Sequence, residues 1–327
     1  MINNLQKLNS KLFDLAVEQL PIRNGYGEGL VIAAERDERI VALCADLTES
    51  TRTEAFAKKF PERFVQMGVA EQNLAAVASG MAAMGKIPFI TSYAMFSPGR
   101  NWEQIRTTIC YNNQPVKIIG SHAGISVGPD GGTHQAVEDV AIMRVIPNME
   151  VVVPCDAIEA RKATVEIAKT KIPTYLRLAR EKTPVVTTDE TPFVLGKANI
   201  LWRGENPQVA IIACGPMVYN ALSAAKKLVE QNISVTVTNL HTIKPLDEET
   251  ILRVATEAGK VVTVEEHQIA GGMGSAVAEF LSENKPMQVR RLGVRDVFGQ
   301  SGVPAELVDH YGMSINDIVE AVRKIVN

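Results

Sequence analysis

The 327-residue sequence has few of the features that mark secreted, membrane-bound or nucleic-acid-binding proteins. Its four cysteines stand far apart and form neither a zinc-type spacing nor a paired redox motif, so reduced structural thiols are expected. No apolar run approaches the ~18 residues that cross a bilayer. Lys and Arg are spread along a chain of net charge -3, which predicts neither a membrane nor a nucleic-acid partner. A cytoplasmic location is therefore expected.

The first 20 residues, MINNLQKLNSKLFDLAVEQL, contain no continuous apolar core, which argues against a signal peptide. Their spacing predicts an amphipathic helix, so residues 1–20 are expected to form an N-terminal helical extension. The sequence also lacks internal repeats and low-complexity tracts. A chain of 327 residues is too long for one ordinary core and comfortable for two domains.

Helical stretches alternate with short apolar runs from residue 24 onward. The apolar runs read as strands, and they are RIVALCA, IPFITS, VKIIGS, MEVVVP and TYLRLA. Fully apolar strands between helices predict a parallel sheet that is covered on both faces. Residues 21–185 are therefore predicted to form one doubly wound α/β domain.

A linker-like stretch follows this first domain. EKTPVVTTDETPF carries two prolines and several threonines without a helical pattern. The alternation then resumes with QVAIIACG, ISVTVTNL, KVVTVEE and MQVRRLGV as strands, so residues 186–327 are predicted to form a second, smaller α/β domain. Its GGMGSA run, 271–276, resembles half of a dinucleotide fingerprint, but the loop EHQIA separates it from its strand, and tight helix packing is the favoured interpretation.

The stretch GSHAGISVGPDGGTHQ, residues 120–135, is called the glycine-rich loop below. It follows a predicted strand and carries His122, Asp130 and His134 on backbone that cannot be a regular helix or strand. Ligands of open α/β sheets bind beyond the carboxyl ends of strands, and Thr133 is predicted to cap a helix that begins near His134. The loop is thus placed like an active-site loop, although a plain β–α connection is the alternative from position alone.

The GPDGGTHQ core of this loop resembles the donor-sugar loop of transketolases. Four further segments, GVAEQN, PFITSYAMF, LRLAREK and ADLTEST, resemble other parts of the same family. The chain is most similar to the C-terminal subunit of a split transketolase, which has a pyrimidine-binding and a C-terminal domain. The resemblance implies thiamine diphosphate as cofactor. The family's Gly-Asp-Gly motif, which anchors the diphosphate and its metal, is absent here. An N-terminal partner subunit is therefore expected to supply that site with Mg²⁺ or Ca²⁺, in a dimer of heterodimers.

The resemblance also implies which residues contact the cofactor. Glu71 of GVAEQN would be catalytic, because a carboxyl hydrogen-bonded to the pyrimidine ring favours the tautomer that starts thiamine chemistry. It heads an otherwise apolar, small-residue helix and is expected to be partly buried; a glutamate that only stabilises the helix N-terminus is the alternative from this residue alone. Tyr93 and Phe96 would stack on the pyrimidine, and Asp46 would lie close to the cofactor.

One aromatic position departs from the family pattern. Gly99 stands where the family usually has an aromatic residue. The stacking wall is therefore expected to be slimmer in this chain, or to be completed by Trp102.

The resemblance implies that His122, Asp130 and His134 bind the hydroxyl groups of the donor sugar. His134, the second predicted catalytic residue, would exchange a proton with the reacting oxygen, which a histidine can do near neutral pH.

The phosphate of the sugar would be held mainly by Arg180, because a guanidinium binds phosphate bidentately. Arg23, Ser50 and His122 would support it. Arg177 is predicted to point to the other face of its strand and to be structural.

These residues predict a subunit of an enzyme that moves a two-carbon ketol unit from a ketose phosphate to an aldose phosphate. Two alternatives remain at this point. One is the β chain of a 2-oxo-acid dehydrogenase, which has the same two domains but needs no GPDGGTHQ loop. The other is a non-catalytic binding or regulatory protein on the same scaffold.

Overall fold

The computed structural model describes residues 1–326 and consists of two α/β domains joined in one chain. The strands, in chain order, are β1 (Gln19–Pro21), β2 (Ile40–Cys44), β3 (Phe64–Gln66), β4 (Ile87–Tyr93), β5 (Lys117–Ser121), β6 (Glu150–Val152), β7 (Thr174–Arg177), β8 (Lys182–Pro184), β9 (Asn199–Trp202), β10 (Val209–Ala213), β11 (Val235–Asn239), β12 (Thr242–Lys244), β13 (Lys260–Gln268) and β14 (Gln288–Val294).

The helices lie between these strands, as the alternation in the sequence predicts. In chain order they are α1 (Ile22–Arg36), α2 (Glu54–Lys59), α3 (Glu71–Ala83), α4 (Trp102–Gln104), α5 (Asp139–Arg144), α6 (Ala157–Ile167), α7 (Met217–Val229), α8 (Glu248–Ala258), α9 (Met273–Asn284), α10 (Pro304–His310) and α11 (Ile315–Val326). α4 continues as a π-helical segment, Ile105–Cys110.

The first domain is built on a seven-stranded sheet with the order β12-β6-β7-β5-β4-β2-β3. All neighbours in it are parallel except β12, which runs antiparallel to β6. Alternate residues of β2 belong to different cores: Val41 and Leu43 pack in the core that contains α3, and Ile40 and Ala42 in the core that contains α1 and α6. The sheet is therefore covered on both faces, which confirms the predicted doubly wound architecture.

The second domain is built on a five-stranded sheet with the order β14-β13-β10-β11-β9, in which only β9 is antiparallel to its neighbour. β10 again divides its side chains between two cores. Val209 and Ile211 pack with α7 and α11, whereas Ala210 and Ile212 pack with α8 and α9. The same arrangement of layers is thus used twice in the chain.

The two domains share one hydrophobic core and one sheet edge. The core that covers one face of the first sheet continues without a break into the second domain, from Ile146 and Val151 to Ile243 and Met273. β12, which lies far along the chain in the second half, completes the edge of the first sheet beside β6. The predicted domain boundary between residues 185 and 186 therefore divides the sequence, but the hydrophobic core and the first sheet continue across it.

The prediction of an N-terminal helix over residues 1–20 is wrong. Residues 1–18 contain an isolated β-bridge from Ile2 to Trp202 and a 3-10 turn, Asn4–Gln6, followed by further turns, and β1 then pairs with β8. The segment is fixed by tertiary contacts, since the Asn3 side chain donates to the Ile200 carbonyl (2.8 Å) and Leu12 is fully buried. Ile2, Leu8, Leu12 and Phe13 thus pack against the second domain instead of lining one side of a helix, whereas Leu5 and Leu15 are exposed.

The helix expected to begin near His134 is also displaced. α5 begins only at Asp139, because residues 131–136 form turns in which the His134 amide donates to the Gly131 carbonyl (2.9 Å). An isolated parallel bridge between Ala123 and Ala136 holds the chain extended there. Thr133 therefore caps no helix.

Two simpler expectations can be compared directly with the structure. All four cysteines are free and buried, as predicted. Within residues 1–326, no helix combines the length and apolar character that spanning a membrane requires.

Candidate active site

The predicted site residues follow the strands of the first sheet at their carboxyl ends. Asp46 lies just beyond β2, Tyr93 ends β4, His122 follows β5, and Arg180 lies three residues beyond β7. Because these strands are parallel, their ends meet at one edge of the sheet, where ligands of such sheets bind. Glu71, the first residue of α3, belongs to the same region through the contacts described next.

Glu71 is a buried carboxyl that lines an open cavity. Only 4% of its side chain is exposed, and it lines a cavity of about 570 Å³ together with residues 69–73 and Arg100. Arg100 Nη1 lies 3.3 Å from both carboxylate oxygens. The Asn101 side chain donates to the Glu71 carbonyl (2.9 Å), which fixes the start of α3. Arg100 was not predicted from the sequence, because nothing in the local pattern GRNW indicates this contact across 29 residues.

Four rings, those of Tyr93, Phe96, His122 and His134, lie against one another and are called the ring group below. The rings of Tyr93 and His122 stack with centroids 3.8 Å apart, and Phe96 lies 6.1 Å from Tyr93. His134 meets Phe96 edge-on at 5.4 Å. Arg100 connects this group to Glu71, since its guanidinium lies 4.2 Å from the Phe96 ring centroid. The structure thus brings the predicted stacking residues and two predicted sugar ligands together.

The neighbourhood of Gly99 answers the question of the missing aromatic residue. A Cβ atom at Gly99 would lie 1.9 Å from the Met95 carbonyl oxygen, so this backbone leaves no room for any side chain. Trp102 does not complete the ring group, because its indole donates to the Ile142 carbonyl (2.7 Å) and its ring packs against the shared core. The structure thus contradicts the alternative in which Trp102 completes the stacking wall, and a slimmer wall remains the prediction.

His122 is buried and neutral. Burial and the positive charges of Arg23, Arg180 and Arg52 lower its pKa to about 2. Arg23 Nη1 lies 3.0 Å from Nε2, and because a guanidinium can only donate, Nε2 is the acceptor. The ring proton is therefore on Nδ1, which donates to the Ser121 hydroxyl at 2.9 Å.

Guanidinium groups surround this imidazole. Arg23 also donates to the Ser50 carbonyl (2.7 Å), so Ser50 meets it through the main chain. Arg52, which was not predicted, donates from Nε to the Asn24 side chain at 2.9 Å. Burial and the nearby charge of Arg52 lower the pKa of Arg23. Such a concentration of positive charge suits an anionic ligand.

Arg180 is held by the glycine-rich loop. Its Nη1 donates to the Val127 carbonyl (2.7 Å) and lies 3.7 Å from the Asp130 carboxylate. Asp130 therefore lies on the arginine side of the site, whereas His134 lies among the rings with its Nδ1 2.9 Å from the Thr133 hydroxyl. About 28% of the Arg180 side chain remains exposed, so it can still receive a ligand.

Asp46 stands apart from these contacts. Its backbone has φ 57° and its amide donates to the Gln66 side chain at 2.8 Å. Across residues 1–326, no hydrogen bond or ion pair joins it to another predicted site residue. Its place near the cofactor remains a prediction.

Two predicted structural roles are confirmed. Arg177 is buried and donates from Nε to the Asp139 carboxylate at 2.7 Å. In GGMGSA, the start of α9 is already occupied by an anion of this chain: the Glu265 carboxylate accepts from the amides of Met273 (2.6 Å) and Gly274 (2.8 Å). This end of the helix therefore serves packing and not dinucleotide binding.

The residues present fit one part of thiamine diphosphate. A buried carboxyl beside an open cavity and adjacent rings suits an aminopyrimidine, which is planar and carries ring nitrogens to hydrogen-bond. Among the described residues 1–326, no group of three or more His, Cys, Asp or Glu side chains is arranged to hold a metal ion. The fit therefore concerns the pyrimidine end of the cofactor.

Comparison with known proteins identifies both domains. Residues 18–185 match the family described as the transketolase pyrimidine-binding domain, and residues 196–318 match the transketolase C-terminal domain. Together with the buried Glu71 carboxyl near the ring group, these matches define the class of protein: a subunit of a thiamine diphosphate-dependent enzyme. The chain belongs to the transketolase family, and it corresponds to the C-terminal subunit of the split form.

Individual relatives agree with this membership. A 6-deoxy-6-sulfo-D-fructose transketolase subunit of a Clostridium species is 42% identical over 313 residues, which is 96% of this chain and 97% of that protein. A subunit of the apulose-4-phosphate transketolase of Phocaeicola vulgatus is 37% identical, over 95% of this chain and 99% of that protein. A solved structure described as a split gene transketolase, inactive β4 tetramer, is 45% identical with a TM-score of 0.87, over 94% of this chain and 98% of that one.

Proposed function

We propose that this chain is one subunit of a two-chain transketolase that moves a two-carbon ketol unit from a ketose phosphate to an aldose phosphate. The observation that carries the proposal is that three groups of side chains lie together at the carboxyl ends of the strands of the first sheet. The buried Glu71 carboxyl, the ring group and the arginines around His122 lie next to one another there. A cofactor pyrimidine and an anionic sugar could therefore be held side by side.

At the cofactor end, bound thiamine diphosphate would supply the carbon nucleophile that takes up the ketol unit. Glu71 would hydrogen-bond a pyrimidine nitrogen and share a proton with it. Burial at 4% exposure favours this exchange, because water does not compete for the carboxyl. Tyr93 and Phe96 would hold the plane of the ring, with Arg100 as the second partner of the Glu71 carboxylate.

At the sugar end, His134 would bind the donor near its reacting oxygen. The Thr133 hydroxyl engages Nδ1 of this imidazole, so Nε2 is the atom that would pass a proton to or from the substrate. His122 would bind as a neutral group, because its lowered pKa keeps it from carrying a proton near pH 7. Arg180, supported by Arg23, would hold the phosphate, and Asp130 a hydroxyl near that end.

A partner would have to supply the rest of the site. The sequence has no Gly-Asp-Gly motif, and we infer that an N-terminal subunit binds the diphosphate with Mg²⁺ or Ca²⁺. The expected assembly is a dimer of such heterodimers in the cytoplasm. The structural relative described as an inactive β4 tetramer supports the view that chains of this kind associate and are inactive without a partner.

The relatives favour anionic sugars of more than one kind as substrates within this proposal. The relatives named for sulfofructose and for apulose phosphate are about equally similar to this chain, at 42% and 37% identity. Both of these sugars carry an anionic group, a sulfonate or a phosphate, at the end remote from the reacting carbonyl. The arginines around His122 support a substrate of that general form.

The test is reconstitution with the N-terminal subunit, thiamine diphosphate, Mg²⁺ and a panel of ketose and aldose phosphates. We expect ketol transfer by the mixture only, and calorimetry should show little binding of the cofactor to this chain alone. Turnover or tight cofactor binding by the isolated chain would overturn the division of the site. With a 2-oxo acid and an artificial electron acceptor supplied in place of the sugars, oxidative decarboxylation of that acid without any ketol transfer would instead identify a dehydrogenase β chain.

A further inference from the structure

The second domain reaches the glycine-rich loop, although no sequence motif indicates it. Residues 299–304, which precede and begin α10, lie against the loop. The Gln135 side chain donates to the Gln300 carbonyl (3.0 Å), and a Cβ at Gly132 would lie 2.6 Å from the Gly299 carbonyl oxygen. The loop is thus packed against a surface of the other domain and not only against its own sheet.

A buried carboxyl of the second domain makes the most direct contact. Glu266, on β13, is 1% exposed, and its Oε1 accepts a hydrogen bond from the Ser126 amide. A Cβ at Gly124 would lie 2.5 Å from Glu266 Cδ, so the loop can approach only because residue 124 is glycine. Among residues 1–326, Glu266 Oε2 has no hydrogen-bond partner.

The same strand also fixes the far end of the loop. Arg177 Nη2 donates both to the Glu266 carbonyl (2.9 Å) and to the Ala136 carbonyl (3.1 Å). The loop is therefore fastened at Ser126 by the Glu266 side chain and at Ala136 by Arg177, which also binds the Glu266 carbonyl. Between these two points lie Asp130 and His134.

We propose that Glu266 is a positioning residue of the C-terminal domain, which sets the geometry of the loop that binds the donor sugar. Without the Glu266 carboxylate, the Ser126 amide would lose its acceptor and the 3-10 segment, Ile125–Asp130, would be free to move. The Val127 carbonyl, to which Arg180 donates, would move with it. What the loop binds rests on the proposed function, but the fastening of the loop does not.

The neighbouring residue offers a matched control. Glu265 is on the same strand and is 2% exposed, but it binds the start of α9 and makes no contact with the loop in residues 1–326. Glu266→Leu and Glu265→Leu therefore remove equally buried carboxyls from one strand. Glu266→Gln keeps an oxygen that can accept from Ser126.

In the reconstituted enzyme, Glu266→Leu should raise KM for the ketose phosphate by about tenfold or more, since misplacing binding groups by ~1 Å can cost up to ~100-fold. Glu266→Gln should keep a KM close to the wild-type value, and Glu265→Leu should lose thermal stability without this rise. If Glu266→Leu does not fold, Glu266→Asp withdraws the acceptor by one methylene and should raise KM in the same way. A wild-type KM in the folded Leu or Asp variant, or an equal rise in Glu265→Leu, would overturn the proposal.

Hydrogen–deuterium exchange on this chain alone separates the two proposals. Residues 122–135 should exchange faster in Glu266→Leu than in the wild type, Glu266→Gln or Glu265→Leu. If that difference is seen but the wild-type mixture transfers no ketol unit, the proposed function fails and the fastening stands. If exchange in the loop does not change, Glu266 does not position it, whatever the enzyme does.

Discussion

Replacing Arg180 by alanine tests the substrate end of the site. In the wild type, Nη1 donates to the Val127 carbonyl at 2.7 Å, while about 28% of the side chain is exposed. The remaining N–H groups can therefore meet an anion. A phosphate carries the same charge in the ground and transition states, so losing its partner should weaken binding without slowing the chemical step.

The size of the effect follows from one charge-assisted hydrogen bond. Such a bond contributes about 1.5–3 kcal/mol, which corresponds to a rise in KM of roughly 12- to 140-fold at ~1.4 kcal/mol per factor of ten. Arg180→Lys should fall between wild type and alanine, because an ammonium keeps the charge but cannot form the bidentate pair. His134→Ala should instead lower kcat, since His134 acts where charge develops.

The assay compares two donors in the reconstituted enzyme: a ketose phosphate and hydroxypyruvate, which has no phosphate. Arg180→Ala should raise KM for the first and barely alter the second, whereas His134→Ala should lower kcat with both. Lys182→Ala removes one exposed positive charge two residues away and controls for net charge. Equal damage by Arg180→Ala with hydroxypyruvate would refute the phosphate assignment.

Three further predictions concern the rest of the chain. Glu71→Gln should lower ketol-transfer turnover by at least ~100-fold, whereas the exposed Glu103→Gln should not; near-normal turnover in Glu71→Gln would exclude the proton-sharing role. His122 has a pKa of about 2 in the folded chain against 6.5 for the free group, so only the unfolded chain takes up a proton as pH falls. Its contribution to stability is thus complete above pH 6.5 and shrinks below it; urea unfolding of His122→Asn at pH 7 and 5 should show a weaker pH dependence than the wild type. Gly25→Ala should destabilise by ~1–3 kcal/mol or more, because its Cβ would lie 1.8 Å from the Ala157 carbonyl oxygen. Gly80→Ala, with open space around it, should stabilise by up to ~1 kcal/mol; equal thermal shifts would contradict this packing argument.

The alternation of helices and strands could be predicted because several buried strands, such as β2 and β10, are continuous apolar runs. β9 and β12 could not, since they are three or four residues long and exist only through pairing with distant strands. The N-terminal segment misled for a related reason. Its spacing allowed a helix, but the burial of Leu12 against the second domain decided its structure.

The residues of the candidate site also differ in whether the sequence could predict them. Glu71, His134 and Arg180 stand in recognisable local motifs, so they could be named in advance. Arg100 and Glu266 could not, because their roles depend on contacts across 29 and 140 residues. Long-range electrostatic partners leave no periodic trace in a sequence.

The strand β12 has a consequence for how this chain can be divided. Cutting after residue 185 would remove β12 from β6 and leave the Glu150–Val152 backbone as an open edge, with the shared core exposed beside it. Open edges of that kind recruit other chains and aggregate. Expression of residues 1–185 alone should therefore yield insoluble material, and a dissection of the enzyme into domains has to keep these two together as a single module.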